Sequence, residues 1–521
     1  MKDLSRSGGF YFSYNSNNIP ADSLVSLSVQ QEPVRNVLNM LLGGSYEYRE
    51  TGNYIIIRPG SGAEAGFTVS GTVVSKASGE KISQASIYES RQLVATLSDA
   101  QGTFRLHLRD HSLPPLITIS KAGYNDTSFV TSSRQPLVIT LTPIRSVVLK
   151  PVTVTPYARL ERNWLGKFFI SSRQKMQDIN LSRFFASKPF QYSIVPGVGT
   201  HGRLSAQVVN KFSMNVLGGY SAGVNGLELG GLFNMDKKDV HYVQLAGLFN
   251  IVGGSMKGLQ IGGLHNSVMD SVSGVEVAGL SNVVKGPLEG IQIAGLSNRI
   301  SGNVTGVMLA GITNATPGEV AGMQLAGITN SSGATVEGVQ IAGIFNHAGN
   351  LKGWQFALVN TADSSSGYSI GLVNIIPKGY HVLSVSYNEM LDVNIALKTG
   401  NKKLYSILLA GADIGREREA YSWGYGLGTE VSFSRSVSLA TDLTAQSIFT
   451  GSWKSLPLLV RLQPAFQISL SRKLALFAGP AFSVCFYDKD ADVSLMPAKY
   501  RFSMGRHING WPGWQAGIRF F

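Results

Sequence analysis

The sequence predicts a mainly β protein, with a C-terminal antiparallel transmembrane β-barrel of about 20 strands behind a small α+β domain and a small β-sandwich. Three observations predict it. An Asn returns every sixteen residues at Asn234, Asn250, Asn266, Asn282, Asn298, Asn314, Asn330 and Asn346, then every fourteen at Asn360 and Asn374. Apolar residues alternate with small or polar ones through most of residues 189–521. No window offers about twenty continuous apolar residues, so a transmembrane helix is not expected, whereas a barrel strand needs only every second residue to be apolar.

Residues 1–60 read as one α+β unit. Phe10 to Tyr14 and Ser26 to Val29 are short strands. Pro33 to Leu42 is helical, with Pro early and Val34, Val37, Leu38 and Leu41 on one face. Gly43-Gly44 stops the helix. Tyr46 to Tyr48 and Tyr54 to Ile57 form a hairpin across Thr51-Gly52-Asn53. Residues 67–143 alternate as short strands at 67–74, 85–88, 103–108, 116–120 and 137–141, with turn signals between them, which is the pattern of a small sandwich. Asp99 and Gly102 make the tight turn before Phe104. Residues 144–188 read as a linker: an extended apolar run, Val147 to Thr155, followed by a basic, partly helical connector.

The repeats occupy about 224–376. In one copy Val336, Gly338, Gln340, Ala342, Ile344 and Asn346 make a small, polar face, and Val339, Ile341 and Phe345 an apolar one. A strand of about eleven residues plus a turn of about five fits an antiparallel meander of membrane-crossing length. A parallel β-solenoid is the alternative. It must hold at least two strands and two corners in each copy, and the meander is preferred for needing only one of each. The Gln and Asn then line the interior, where they bond one another and the turns, line a pore or bind a glycan. Eight longer alternating strands follow from Val382 to Phe521, with short turns and longer polar loops in alternation. With two strands before the repeats and ten within them, the barrel spans 189–521.

The formal charge is +13, spread without a dense basic run, which argues against a nucleic-acid partner and fits a rim facing anionic lipid. The single Cys485 excludes an internal disulfide framework and reads as a packing residue. His107 and His111 are the only close pair of histidines. Asp488, Asp490 and Asp492 resemble the start of a calcium loop, but Val493 stands where Gly is needed and no Glu closes the loop. No nucleophile motif, P-loop or catalytic carboxylate pair is present, so no catalysis and no cofactor are expected.

Several segments resemble known families. Gly9 to Tyr14, the Val29-Gln30-Gln31-Glu32-Pro33-Val34 segment with Val37-Leu38, and Tyr54 to Ile57 resemble the STN domain, the short N-terminal module of secretins and signalling TonB-dependent receptors. That family begins with a strand and helix which residues 1–7 contain only in part, implying that the domain and a signal peptide start upstream. Gly71-Thr72-Val73, Gly79 to Ile82, Ala85, Asp99, Gly102, Phe104 and Gly123-Tyr124 resemble the non-catalytic carboxypeptidase regulatory-like domain. The Val147 to Thr155 run is similar to the linker after that domain in SusC-like receptors, though no plug follows. The repeats resemble Gly-rich surface-repeat proteins of bacterial outer membranes. These resemblances imply a Gram-negative outer-membrane barrel with periplasmic N-terminal domains, in contact with lipid, which signals to an inner-membrane anti-sigma regulator or another envelope protein through the STN unit. The alternatives are a pore or transport component without a plug, and a surface adhesin or structural protein.

Overall fold

The computed structural model describes residues 5–6, 8–14, 32–42, 46–59, 67–109, 114–131, 135–144, 160, 164–414, 420–489 and 500–521. Two compact units result, one of residues 1–119 with 126–142 and one of 120–125 with 143–521.

In the first unit, Tyr11–Ser13 pairs in parallel with the Tyr54–Pro59 strand, which pairs antiparallel with Tyr46–Thr51. The Val34–Leu42 helix places Leu38 against Ile57, with Phe12, Tyr46 and Tyr48 around them. The expected strand at Ser26 to Val29 lies outside the described residues. The sandwich has a three-stranded sheet centred on Phe67–Ser75 and a four-stranded sheet centred on Ser86–Glu89 and Leu116–Ser120. Its five expected strands are present. Two short ones, Val94–Leu97 and Thr127–Val130, were not expected, because each is a four-residue edge too short to show a period. Asp99 accepts bonds from the Gln101 and Thr103 amides, and Gly102 has φ 71°, which makes the turn before Phe104.

The second unit corrects the largest expectation. The repeats are not barrel strands. They form a parallel β-solenoid in which each strand pairs with the strand one copy later, as Val240 does with Met256 and Asn250 with Asn266. One copy comprises a seven-residue strand (Val304–Ala310), a two-residue corner (Gly311, Ile312), a four-residue strand (Thr313–Thr316) and a three-residue turn. The corner bends what reads as one eleven-residue strand. Both sides of the bend keep the same parity, so a period of two cannot distinguish a bent strand from a straight one. A Gly column also favours parallel stacking. Gly306 has φ 137°, and a Cβ there would fall on the carbonyl oxygen of Gly290 one coil earlier.

Ala186–Val195 and Val208–Asn215, expected as the first two barrel strands, are the first layers of the solenoid. The Ser172–Asn180 helix, opened by a Ser171/Gln174 capping box, covers that end, with Asp178 accepting bonds from Tyr220 and Gln207.

The barrel is smaller than expected. Eight antiparallel strands close on themselves: Tyr380–Asn388, Val393–Asn401, Leu404–Asp413, Ala420–Ser432, Val437–Phe449, Leu458–Ser469, Leu474–Phe486 and Ile508–Phe520. The first pairs with the last, with Leu383 opposite Phe520. These are the eight strands expected after the repeats; they need no others to close.

Candidate functional site

Side chains along each barrel strand alternate between a polar inside and an apolar outside. Outward residues such as Leu383, Val385, Leu397, Leu443, Leu462, Phe466, Leu476, Phe482, Ile518 and Phe520 are exposed. No Asp, Glu, Lys or Arg stands among the outward positions of the eight strands. Tyr387 packs on Trp514, and Trp423 on Trp453, near the end that carries the longer loops. In the last strand Trp514, Ala516, Ile518 and Phe520 face out, while Arg519 is buried within.

Inside, the charges pair. At the end with the short turns, Lys398 bonds Asp442, which also accepts a bond from Tyr405 Oη at 2.7 Å and lies 3.7 Å from Arg519. Arg519 donates to Gln467 at 2.6 Å. Tyr380 Oη donates to Glu430 at 2.7 Å, and Lys402 reaches the other oxygen of Glu430 at 2.9 Å. At the long-loop end, Arg461 Nη2 donates to both oxygens of Glu389 at 2.7 and 2.8 Å, and Trp511 Nε1 donates to the same carboxylate. Met390, Leu391, Ile448, Leu459 and Cys485 pack around the buried Trp511. Cys485 is thus a packing residue of this layer, as expected. A cavity of about 40 Å³ remains between the two ends, room for a few waters. An eight-stranded barrel is narrow enough for side chains to fill it, and here they do. Sequence reasoning missed this network. Its signal was a lone charge at inward parity in each of several apolar strands.

The repeated Asn residues are all buried in the solenoid core. Asn250 Nδ2 donates to Asn266 Oδ1 at 2.9 Å and to the Ile261 carbonyl at 2.8 Å. Most copies repeat this pair of bonds, from Asn234 to Asn360. The Asn row therefore binds the wall together; the expected barrel lumen, and with it any pore or glycan site along this row, is absent because the coils bury the row in a packed core. A second row, Glu228, Gln244, Gln260, Glu276, Gln292, Met308, Gln324, Gln340 and Gln355, runs beside it. Gln260 donates to Gln244, Gln340 to Gln324 and Gln355 to Gln340. Burial pushes the Glu276 carboxyl up to about 7. Gln244 donates to both Glu228 and Asp236. Burial, and then the neighbouring Glu228, hold Asp236 well above the usual carboxylate range. This acidic pair is enclosed and has no face open to a substrate.

The last coil docks end-on against the outer wall of the barrel. Asn374 Nδ2, with no further Asn to meet, donates to Ser406 Oγ at 2.8 Å, and its amide donates to Thr399 Oγ1 at 3.0 Å. Tyr425 Oη donates to the Gly371 carbonyl at 3.1 Å, and Asn401 and Lys403 reach the Gly367 and Ser366 carbonyls. Thr399, Ser406 and Tyr425 are outward residues, so the barrel wall covers a sheet end that would otherwise be open.

The remaining candidates do not converge. Asp490 and Asp492 lie outside the described residues, as does His111; Asp488 lies at the base of the last long loop. His107 bonds Thr68. His265 and His347 sit part-buried on the solenoid and bond Ser281 and Thr361 of the next coil. Among the described residues no group of three or more His, Cys, Asp or Glu could hold a metal, and no helix is long and apolar enough to cross a membrane.

No family model and no curated protein matches the chain. Among solved structures, it is similar to the Yersinia pestis outer membrane protein Ail in a phospholipid bilayer nanodisc, with 11% identity over 27% of this chain and 99% of that one, at a TM-score of 0.17. It is also similar to Neisserial surface protein A, with 11% identity over 27% of this chain and 92% of that one, at 0.16.

Proposed function

We propose that this chain is an outer-membrane β-barrel protein of the anchoring kind: its barrel sits in lipid, conducts nothing, and anchors the solenoid docked on its wall. One observation carries the reading. The barrel has an outer wall without charge and an interior closed by paired charges, the inverse of a water-soluble barrel. Strands of 9–13 residues match the span of a tilted membrane strand. Both the entry at Tyr380 and the exit at Phe520 lie at the short-turn end, which in outer-membrane barrels faces the periplasm.

The same interior weighs against the transport alternative and favours a structural role. The test is reconstitution of the full chain into liposomes with a conductance readout. The expected result is a membrane-inserted protein with no ion current above empty vesicles. Sustained channels would overturn the anchor reading in favour of a pore.

A signalling role through the STN-like unit is a second reading. It is favoured by the exposed Tyr11 and Tyr54, which pack on each other with ring centroids 5.6 Å apart on the Tyr11–Ser13 strand, the edge of its sheet among the described residues and a surface able to take a partner segment.

A further inference from the structure

The outside of the solenoid is not uniform. Three of its rows start at Leu227, Leu229 and Leu232 and recur once per coil as far as Tyr368, Ile370 and Leu372. Every member is aliphatic or aromatic. In the third row, residues from Leu264 to Ile344 are 42% to 51% exposed, so the corner they form points away from the core. The rows continue into the first layers, where Phe190 and Phe212 stand in register with Leu227, and Tyr192 and Met214 with Leu229. At about 4.8 Å per layer, the result is an unbroken apolar stripe roughly 50 Å long and on the order of 700 Å² in area, beyond what monomeric soluble proteins usually expose. The opposite corner is polar: Lys238, Asp239, Asp270, Lys285, Asn303 and Glu319 stand there.

The barrel joint fixes where the stripe points. The coil stacks on the wall, so the solenoid axis runs out sideways from the barrel, across the direction in which the barrel would cross a bilayer. The polar corner at Ser366 and Gly367 meets Lys403 and Asn401 at the short-turn rim. The apolar corner at Gly371 meets the Tyr425 hydroxyl, which also bonds Ser406, about three residues or roughly 10 Å further along the wall. Ser406 stands two residues from the outward Leu408, so the stripe meets the wall at the short-turn edge of its apolar band.

We propose that this stripe is a second membrane contact: the solenoid lies as a lateral arm along the periplasmic leaflet, its Leu/Ile corner in the acyl region and its polar corner in water. The proposal rests on the anchor reading above. Lipid, rather than a protein partner, is the occupant because the stripe runs on from the edge of the lipid-facing wall and carries no charge along its length.

The test uses the full chain with Cys485→Ala as background, reconstituted in phosphatidylethanolamine/phosphatidylglycerol vesicles, with a polarity-sensitive fluorophore at Leu280→Cys or Ile312→Cys on the stripe, Asn303→Cys on the polar corner, or Leu462→Cys on the barrel wall. Vesicles carry nitroxide-labelled acyl chains. The expected result is that the Leu280, Ile312 and Leu462 labels lose roughly half their emission and the Asn303 label keeps its own. Quenching at Leu462 without quenching at Leu280 and Ile312 would overturn the arm while leaving the anchor intact, and stripe labels shielded from water yet untouched by the acyl nitroxide would assign the stripe to a second copy or a protein partner. Loss of quenching at Leu462 would overturn both readings.

Discussion

Glu276 shows how much one atom matters in a dry stack. It occupies a column otherwise built largely of Gln, opposite Gln260 in register, and accepts a bond from Gln292. Gln260 Oε1 and Glu276 Oε1 have no donor. A proton on Glu276 supplies one, which is the form that burial favours. Because the folded carboxyl is raised from 4.5 to about 7, its contribution is fully present below about pH 4.5 and is lost as pH rises through about 7. The loss amounts to about 3 kcal/mol. The variant Glu276→Gln keeps the shape and carries its own donor. Urea unfolding of the solenoid at about pH 5 and about pH 8 should show a larger fall in stability for the native chain than for the variant, whose remaining fall belongs to the raised Asp236; equal falls would refute a neutral Glu276.

The elements differ in how readable they were. Eight barrel strands were legible because each runs nine residues or more, and a long alternation reports one straight strand. The solenoid was misread because its corner preserves parity, although the Asn row held the deciding information. Only parallel copies bring identical positions side by side within bonding distance; antiparallel copies would set each Asn beside a different partner. The interior role of Asn and Gln was legible from their shared face, but not the identity of the interior. The charged network of Lys398, Asp442 and Arg519 was not legible, since its members come from strands far apart in sequence. The Asn row makes its own prediction. Asn298→Ala removes bonds to Leu309 O and Asn314 Oδ1 and leaves Asn282 Nδ2 with one acceptor fewer. It should cost about 3 kcal/mol, while Arg299→Ala, one residue away and exposed, should change stability by under about 0.5 kcal/mol. Comparing their urea midpoints checks this.

At the scale of the second unit, barrel and solenoid complete each other. A solenoid needs a cover at each end; helix and short strands supply one, and a barrel wall supplies the other. Ser406 and Tyr425, like Thr399, are polar outward residues on an uncharged wall, and they bond each other as well as the last coil. The double variant Ser406→Ala, Tyr425→Phe should leave the barrel folded and raise amide exchange in the Val373–Ile375 strand, with no change at Asn266, seven coils away. Unchanged exchange at Val373–Ile375 would mean that the joint is held elsewhere.

The coils from Val272 to Val336 present one kind of upper surface and one kind of lower surface, beyond the Phe249, Ile251 and Met269 that pack with the N-terminal cover. A copy inserted or deleted between Val272 and Val336 would therefore alter nothing at the helix or at the wall. Reach thus becomes a matter of counting: each duplication of sixteen residues would move the N-terminal cover about 4.8 Å further from the barrel. The repeat number works as a ruler, and it sets the distance at which this chain holds its far end.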